Sequence, residues 1–554
     1  IVLYERNISE DNVTNKMVFK GNIETISDSD IRVRLRAAQQ NVEVLPMNSR
    51  YAIEHDYMDT SFRCMYWGLS AFLSATKDRR DLLLNRREPE FDSAFNGAIA
   101  AADNDFVRIT LKAEAAKDYF LLIGPPGTGK TSRALRSMVE TFYREGKEIL
   151  LLSYTNRAVD EICKMLTAIT PEVDFIRIGS ELSCDEVYRP HLIENMLESC
   201  STRREVQERM ARCRIFVGTV ATLSAKTELF RLKTFDVALI DEATQILEPQ
   251  LLGLLCIRSV AGGNAIGKFV LIGDHKQLPA VVLQSSEQSE VQDESLRAIG
   301  LCNLKDSLFE RLYRNAIKQP LACGEEASTF NSQLSAFNSF DILCRQGRMN
   351  VEVAAFPNHA FYGGLLQPVG LEHQTGTIEL SPELSTNEFA ALLTRRVAFI
   401  PSTPEQPMQS AKINHSEAKI VARLAAAVYR QYIFATGCFN AAYTLGIITP
   451  YRSQIALIKK EIADLGIKEL NDVLIDTVER FQGSERDVII YSFCVNRVSQ
   501  LKLLANLTEE NGVQIDRKLN VALTRARKQM FITGVPQLLK QNSIYSRLLQ
   551  SCES

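Results

Sequence analysis

The chain has 554 residues, 45% of them hydrophobic and 24% charged, and its 64 Lys and Arg nearly balance 67 Asp and Glu, for a net charge of −3. That profile suits a soluble globular protein of roughly three or four domains and excludes a uniformly basic surface, so any nucleic-acid groove must gather its cations locally. No apolar run reaches the roughly 18 residues of a membrane span, and 12 cysteines scattered from Cys64 to Cys552 without a Cys-x-x-Cys pair argue against zinc and disulfide frameworks.

The chain opens at Ile1 without Met and without a signal-like segment. Cytoplasmic residence with reduced thiols is the expectation, and an upstream domain stays open. Residues 1–90 carry no catalytic signature. Short β-type runs through Val18, Ile23, Ile26, Ile31, Val33 and Leu35, broken by Gly21 and by Ser27 to Asp30, suggest a small barrel. His55, Tyr57, Tyr66 and Trp67 read as core aromatics or as a binding patch, and the charged stretch Ser74 to Glu88 as a solvated helix or stalk.

From residue 91 strands alternate with helical patterns: Leu121–Ile123, Ile149–Ser153, Ile215–Thr219, Phe235–Ile240 and Phe269–Ile272 are apolar runs. Alternation of this kind predicts an α/β domain over 91–283, its parallel sheet covered on both faces and its functional loops at the carboxyl ends of the strands. The charged stretch Pro171 to Arg214, with two short helices, reads as an insertion packed beside the sheet.

Gly124, Pro125, Pro126, Gly127, Thr128, Gly129, Lys130 and Thr131 follow the first of these strands and open into an amphipathic helix that Gly146 closes. Strand, glycine loop and helix form the context of a P-loop: backbone N–H groups converge on phosphates, Lys130 reaches the β/γ-phosphates and Thr131 a Mg²⁺ ion. Asp241 and Glu242 stand at the end of the strand Phe235–Ile240, where one carboxylate can hold Mg²⁺ and the other can orient water. Gln277, in the turn after Phe269–Ile272, can both donate and accept, which suits sensing a γ-phosphate.

Residues 284–554 form the second expected domain. Leu283 to Glu294 reads as a linker, Leu296 to Tyr313 as helical, and Pro368 to Gln409 as connections with short strands. A second alternating unit follows: helix Ser416–Tyr432, strand Tyr443–Thr449, helix Tyr451–Leu465, strands Val473–Val478 and Asp487–Phe493, helix Lys518–Lys528 and strand Met530–Thr533. Two such units in tandem suggest a cleft whose opening and closing follow nucleotide chemistry.

Motif by motif, in order, the chain resembles the superfamily I helicases. The resemblance rests on the P-loop, on Ser153 to Asn156 with Ala158 to Asp160, on Asp241 to Gln245, Gly273 to Pro279, Gln346 to Met349, Thr449 to Gln454, Thr477 to Glu485 and Leu519 to Arg527. It covers residues 91 to 540 and is strongest to the branch holding the up-frameshift RNA helicase and the helicase half of the replication nuclease-helicase. It implies two RecA-like parallel-sheet motor domains in tandem, following the small N-terminal β-barrel and stalk, and using ATP and Mg²⁺ on single-stranded DNA or RNA with 5′ to 3′ movement; a monomer with no membrane partner is the expectation.

Carried onto this sequence, the resemblance makes Lys130 and Thr131 the phosphate and Mg²⁺ holders, Asp241 a Mg²⁺ ligand, Glu242 the general base or water-positioning group and Gln277 the γ-phosphate sensor. Arg348 and Arg525 become arginine fingers, each worth about 10³ to 10⁵ in turnover where such fingers occur. Glu485 falls at the ribose, and Gly483 among the nucleotide-binding residues. Thr155, Asn156, Thr219, Thr222, Thr449, Tyr451 and Thr477 fall along the single-strand groove, although each such threonine read alone is a helix cap. Two positions depart from the pattern: Phe95 replaces the adenine-reading Gln before the P-loop, and Gly347 replaces the aromatic before Arg348. Two other functions stay compatible with the residues, an ATPase that remodels protein–nucleic acid complexes without unwinding and a nucleotide-binding regulatory switch.

Overall fold

The computed structural model describes residues 1–6, 18–35, 49–54, 60–170, 173–282, 284–318, 339–405, 410–510 and 512–553. Two compact units divide the chain, 1–67 and 68–554, and the division falls inside the helix Thr60–Ser74.

The first unit holds β1 (Val2–Glu5), β2 (Val18–Ile26), β3 (Ile31–Leu35) and β4 (Tyr51–Glu54), an antiparallel sheet in the order β3-β2-β1-β4. Among the described residues this small N-terminal sheet has β3 and β4 at its edges, in keeping with the small accessory region expected there. His55 and Tyr57 lie outside the described residues; Tyr66 is 75% exposed.

The second unit is built on two parallel sheets. The first has seven strands in the order β11-β5-β10-β9-β6-β8-β7: β5 (Tyr119–Ile123), β6 (Ile149–Ser153), β7 (Phe175–Ile178), β8 (Ile215–Thr219), β9 (Phe235–Ile240), β10 (Ile266–Gly273) and β11 (Phe340–Ile342). Strands covered on both faces need apolar side chains on both, which is why Tyr119–Ile123 and Ile149–Ser153 are buried without interruption. β10 lies between β5 and β9, so the loops after Ile123, Ile240 and Gly273 leave the sheet side by side.

A short parallel pair, β12 (Arg345–Gln346) and β13 (Gln367–Pro368), leads to the second sheet. That sheet runs β14-β20-β17-β15-β16, all parallel, from β14 (Val397–Pro401), β15 (Leu445–Ile448), β16 (Leu474–Asp476), β17 (Arg486–Ser492) and β20 (Ala526–Gly534). A hairpin of β18 (Leu507–Glu510) and β19 (Val513–Asp516) precedes the last helix before β20.

Four expectations are corrected here. The stretch 171–214 is more than an insertion beside the sheet, because β7 pairs in parallel with β8 and forms its edge. The boundary at 283 moves to about residue 343: Leu308, Phe309 and Leu312 are fully buried in the first core, and Phe340–Ile342 pairs with β5. The solvated stalk is instead a packed helix, Lys77–Leu83, with Leu82 and Leu83 in the same core and Arg79 donating to the carbonyls of Ile266 and Gly267 at 2.9 and 2.6 Å. The helix expected over Lys518–Lys528 stops at Leu523, and Ala526 begins β20. No helix among the described residues is long and apolar enough to cross a membrane.

Candidate functional site

At the carboxyl end of β5 the chain turns through Gly124 to Gly129. A methyl on Gly124 would stand 1.9 Å from Lys130 Cγ, so the lysine folds back over its own loop only because residue 124 has no side chain. Gly127 and Gly129 have φ of +74° and +82°, and Thr128 Oγ1 donates to the Pro125 carbonyl at 2.7 Å. Wide π-type turns over Lys130–Leu135 then lead into the α-helix Arg136–Arg144.

From β9 come the two acids. Thr131 Oγ1 donates to Asp241 Oδ2 at 2.6 Å, and Lys130 Nζ lies 3.4 Å from Glu242 Oε1. Glu242 sits in the left-handed region at φ 54°, a conformation that costs a non-glycine residue about 1 to 3 kcal/mol and is concentrated at functional sites. Gln245 Nε2 donates to Glu242 Oε2 at 3.0 Å, and the Glu242 N–H donates to Asp241 Oδ1 at 2.9 Å. Burial and the neighbouring Glu242 charge push the Asp241 carboxyl above its usual range. Burial also opposes ionisation of Glu242, yet Lys130 and the Gln245 hydrogen bond overcome it and hold that carboxyl low. The pair thus leaves Glu242 anionic beside the lysine. The hydroxyl of Thr131 and the carboxylate of Asp241 form a set of hard oxygen donors, which fits Mg²⁺.

The loop after β10 carries Gln277, 4% exposed. Its Nε2 donates to Asp274 Oδ2 at 2.7 Å, which leaves Oε1 to accept from Arg525 Nη2 at 3.4 Å.

Both candidate fingers come from beyond residue 343 and meet this set. Gly347 N–H donates to the Gly127 carbonyl at 2.9 Å, seating Arg348 against the glycine loop. The Arg348 guanidinium is held by Glu485 at 2.6 Å and donates to the Thr524 carbonyl at 3.3 Å. Arg525, 2% exposed, donates to the carbonyls of Val521 and Ser484 as well as to Gln277. Burial, with the Arg348 charge adding to it, pulls the Arg525 pKa down to about 9. Its hydrogen-bond acceptors, Val521, Ser484, Gln277 and Thr524, are all neutral oxygens, so this buried guanidinium is placed to receive an anion. Gly483 has φ +77°, and Glu485, expected at the ribose, is engaged with Arg348.

The expected groove residues divide. Thr155 and Asn156 are exposed at the end of β6, and Thr222, Tyr451 and Thr477 are half-buried. Thr449 is 0% exposed and Thr219 5%, with the Thr219 hydroxyl bonded to Thr222 at 2.7 Å, so both are interior in this arrangement. The cap reading accounts for Thr155 and Thr219, whose hydroxyls accept from Ala158 N–H and Thr222 N–H. Arg157 donates to the Arg480 carbonyl at 3.1 Å, joining the two sheets' loops beside Thr155 and Thr477. Phe95 is half-buried in the turn Ser93–Phe95. A Cβ on Gly347 would meet Val369 and Leu371 at 3.4 and 3.5 Å.

Sequence reasoning missed Tyr362, Gln245, Asn520 and Glu510. Tyr362 and Asn520 reach the loop after β10 from the second sheet's side, and Glu510, on the hairpin, pairs with His275 at 3.2 Å and Lys276 at 3.0 Å. Gln245 and Asn520 lay inside quoted motifs without a role; Tyr362 and Glu510 carry no local pattern, since only cross-sheet contact marks them.

Two family models, both described as AAA domain, match the chain, one over residues 304–537 and the other over residues 101–213 and 198–285. The Arabidopsis thaliana DNA replication ATP-dependent helicase/nuclease JHS1 is 29% identical across 98% of this chain and 38% of its own length. The Homo sapiens DNA replication ATP-dependent helicase/nuclease DNA2 is 27% identical across 90% of this chain and 44% of its own length. The chain therefore spans less than half of either relative. The Saccharomyces cerevisiae DNA polymerase alpha-associated DNA helicase A is 24% identical, with 97% and 81% covered. Among solved structures, Arterivirus nonstructural protein 10 (helicase) with DNA gives a TM-score of 0.37 at 14% identity, covering 80% of this chain and 65% of that one.

Proposed function

This chain belongs to the superfamily I helicases, on the branch of the replication helicase/nuclease DNA2 and the up-frameshift helicase, and from that premise we propose that it hydrolyses ATP to move along single-stranded nucleic acid and unwind duplex ahead of it. The observation that carries the proposal is that Arg525 bonds Gln277 and Arg348 seats against Gly127, on the cleft where Lys130, Thr131, Asp241 and Glu242 are joined.

In this reading residues 68–343 and 344–554 are the two motor halves. The glycine loop and Lys130 bind the triphosphate, and Gln277 orients the attacking water. That water's oxygen bonds to the γ-phosphorus while the bond to the β–γ bridging oxygen breaks; ADP departs and the water's proton passes to Glu242. Arg525 and Arg348 stabilise the charge that develops, and Arg348 exchanges Glu485 for phosphate as it does so. Thr131 and Asp241 would hold Mg²⁺, which supplies charge neutralisation on the phosphates when bound. Hydroxyl and amide groups at Thr155, Asn156, Thr222, Tyr451 and Thr477 contact the strand's backbone without reading bases. The names of the relatives favour DNA as the strand, and we further propose a single chain as the working unit and movement 5′ to 3′, the direction the motif resemblance implies.

Turnover of ATP is measured with no strand, with single-stranded DNA and with single-stranded RNA, alongside unwinding of duplexes carrying a 5′ or a 3′ tail. Stimulation by DNA with unwinding of the 5′-tailed duplex supports the whole reading; hydrolysis that leaves both duplexes paired identifies a remodelling ATPase instead. Lys130→Ala should abolish turnover with folding intact, and retained hydrolysis would falsify the site.

A further inference from the structure

The loop that carries Gln277 leaves the first sheet, yet it is gripped from the second sheet's side. Tyr362 hydroxyl donates to Asp274 Oδ2 at 2.7 Å and accepts from Asn520 Nδ2 at 2.8 Å. The same Asn520 nitrogen lies 2.7 Å from the Lys276 carbonyl. Asp274 is 1% exposed, Tyr362 3% and Asn520 0%, so these bonds form away from water, where an unmade partner is costly.

One carboxylate oxygen matters most. Asp274 Oδ2 receives both the Tyr362 hydroxyl and Gln277 Nε2, each at 2.7 Å, while its Oδ1 receives the Lys276 N–H at 3.0 Å. With the carboxylate pinned on both oxygens, the Gln277 amide has one orientation: nitrogen toward Asp274, oxygen toward Arg525. The opposite orientation would set two carbonyl-type oxygens together and turn an N–H toward a guanidinium.

Tyr362 also closes the helix Val351–Tyr362, which begins just after Arg348 and ends at Gly363 with φ +59°. A helix of that length is a rod of about 18 Å. Arg348 therefore meets the glycine loop at one end of the rod and Tyr362 meets Asp274 at the other.

We propose that Tyr362 is a positioning residue for hydrolysis: through Asp274 it sets the orientation of the Gln277 amide, so that docking of one helix seats Arg348 and aligns the sensor together. This rests on the cleft being the hydrolytic site. Tyr362 touches no phosphate in this scheme; it acts only through Gln277.

The test is steady-state ATP turnover with saturating single-stranded DNA for the wild type, Lys130→Ala, Tyr362→Phe, Gln277→Ala and the double variant Tyr362→Phe/Gln277→Ala. Tyr362→Phe keeps the ring and removes the hydroxyl; kcat should fall about 10- to 100-fold, the cost of a misaligned reacting group, with KM for ATP and the unfolding midpoint little changed. The double variant should be no slower than Gln277→Ala alone. A second, isosteric change guards against poor folding: Asp274→Asn places an N–H where Gln277 Nε2 donates and should bring the same loss of kcat. A wild-type kcat in Tyr362→Phe or Asp274→Asn, or losses that multiply in the double variant, overturns the inference while leaving the hydrolytic reading intact. An inactive wild type, or an active Lys130→Ala, sinks that reading itself.

Discussion

A methyl group built on Gly127 would stand 2.5 Å from the Cβ of Arg348 and 3.2 Å from its backbone nitrogen. The glycine loop of one sheet and the arginine of the other are thus in contact through their main chains, and the cleft closes only as far as the smallest residue permits.

Gly127→Ala should accordingly hold the two halves apart. Its φ of +74° adds about 1 to 3 kcal/mol of backbone strain to the clash. The expected outcome is a loss in kcat/KM for ATP of about 10²-fold, from misplacement on the order of 1 Å. Wild-type turnover in that variant would show that the contact is dispensable.

Arg525 offers a sharper contrast between charge and shape. Its planar guanidinium reaches Val521, Ser484, Thr524 and Gln277 at once. A lysine keeps the charge but cannot span those acceptors. Arg525→Lys is therefore expected to lose about 10³-fold in kcat, close to Arg525→Ala, in the same turnover assay.

Glu242→Gln retains the volume of the side chain and removes the proton acceptor. Turnover should drop about 10²- to 10⁴-fold. Binding of a fluorescent ATP analogue should persist, because the glycine loop and Lys130 are untouched. Lost binding together with lost turnover would point to a structural role for the acid.

A pH effect is expected away from the cleft. Glu417 is fully buried on the helix His415–Thr436; its carboxyl accepts from Ser492 Oγ and Cys494 N–H and faces Ser402 Oγ. Burial raises its pKa to about 7 from 4.5, against the pull of those hydrogen bonds. The folded chain then holds a proton that the unfolded chain has released, so this contribution to stability is full below pH 4.5 and is lost as pH rises toward 7. The slope is at most about 1.4 kcal/mol per pH unit, on the order of 3 kcal/mol in all. Denaturant unfolding from pH 5 to 8 should show this fall, and Glu417→Gln should flatten it; an unchanged slope in the variant would assign it to other groups.

Much of the cleft was legible before any coordinates. Buried parallel strands must be apolar on both faces, so Tyr119–Ile123, Ile149–Ser153 and Phe235–Ile240 announce themselves, and the residues that follow them must lie at the sheet's carboxyl edge. β11 did not announce itself. It is three residues long and contains Asp341, buried at 3% exposure because Lys112 and Arg108 pair with it at 3.1 and 3.0 Å. Nothing local to Phe340–Ile342 reveals those partners, and so a boundary expected at 283 leaves β11 outside the sheet it joins.

Sequence alone determined part of the chemistry on offer, because a glycine loop and paired acids after a strand are local patterns with local physical causes, whereas Arg348 and Arg525 are marked only by the resemblance of the motifs around them. Tertiary structure decided which of those groups face one another and which are shut away: it seated Arg348 on Gly127, turned Gln277 toward Arg525 through Asp274 and Tyr362, and buried Thr449. Such contacts join residues separated by tens to hundreds of positions, and only the packing of two sheets, not the pattern along either, brings them within hydrogen-bonding reach.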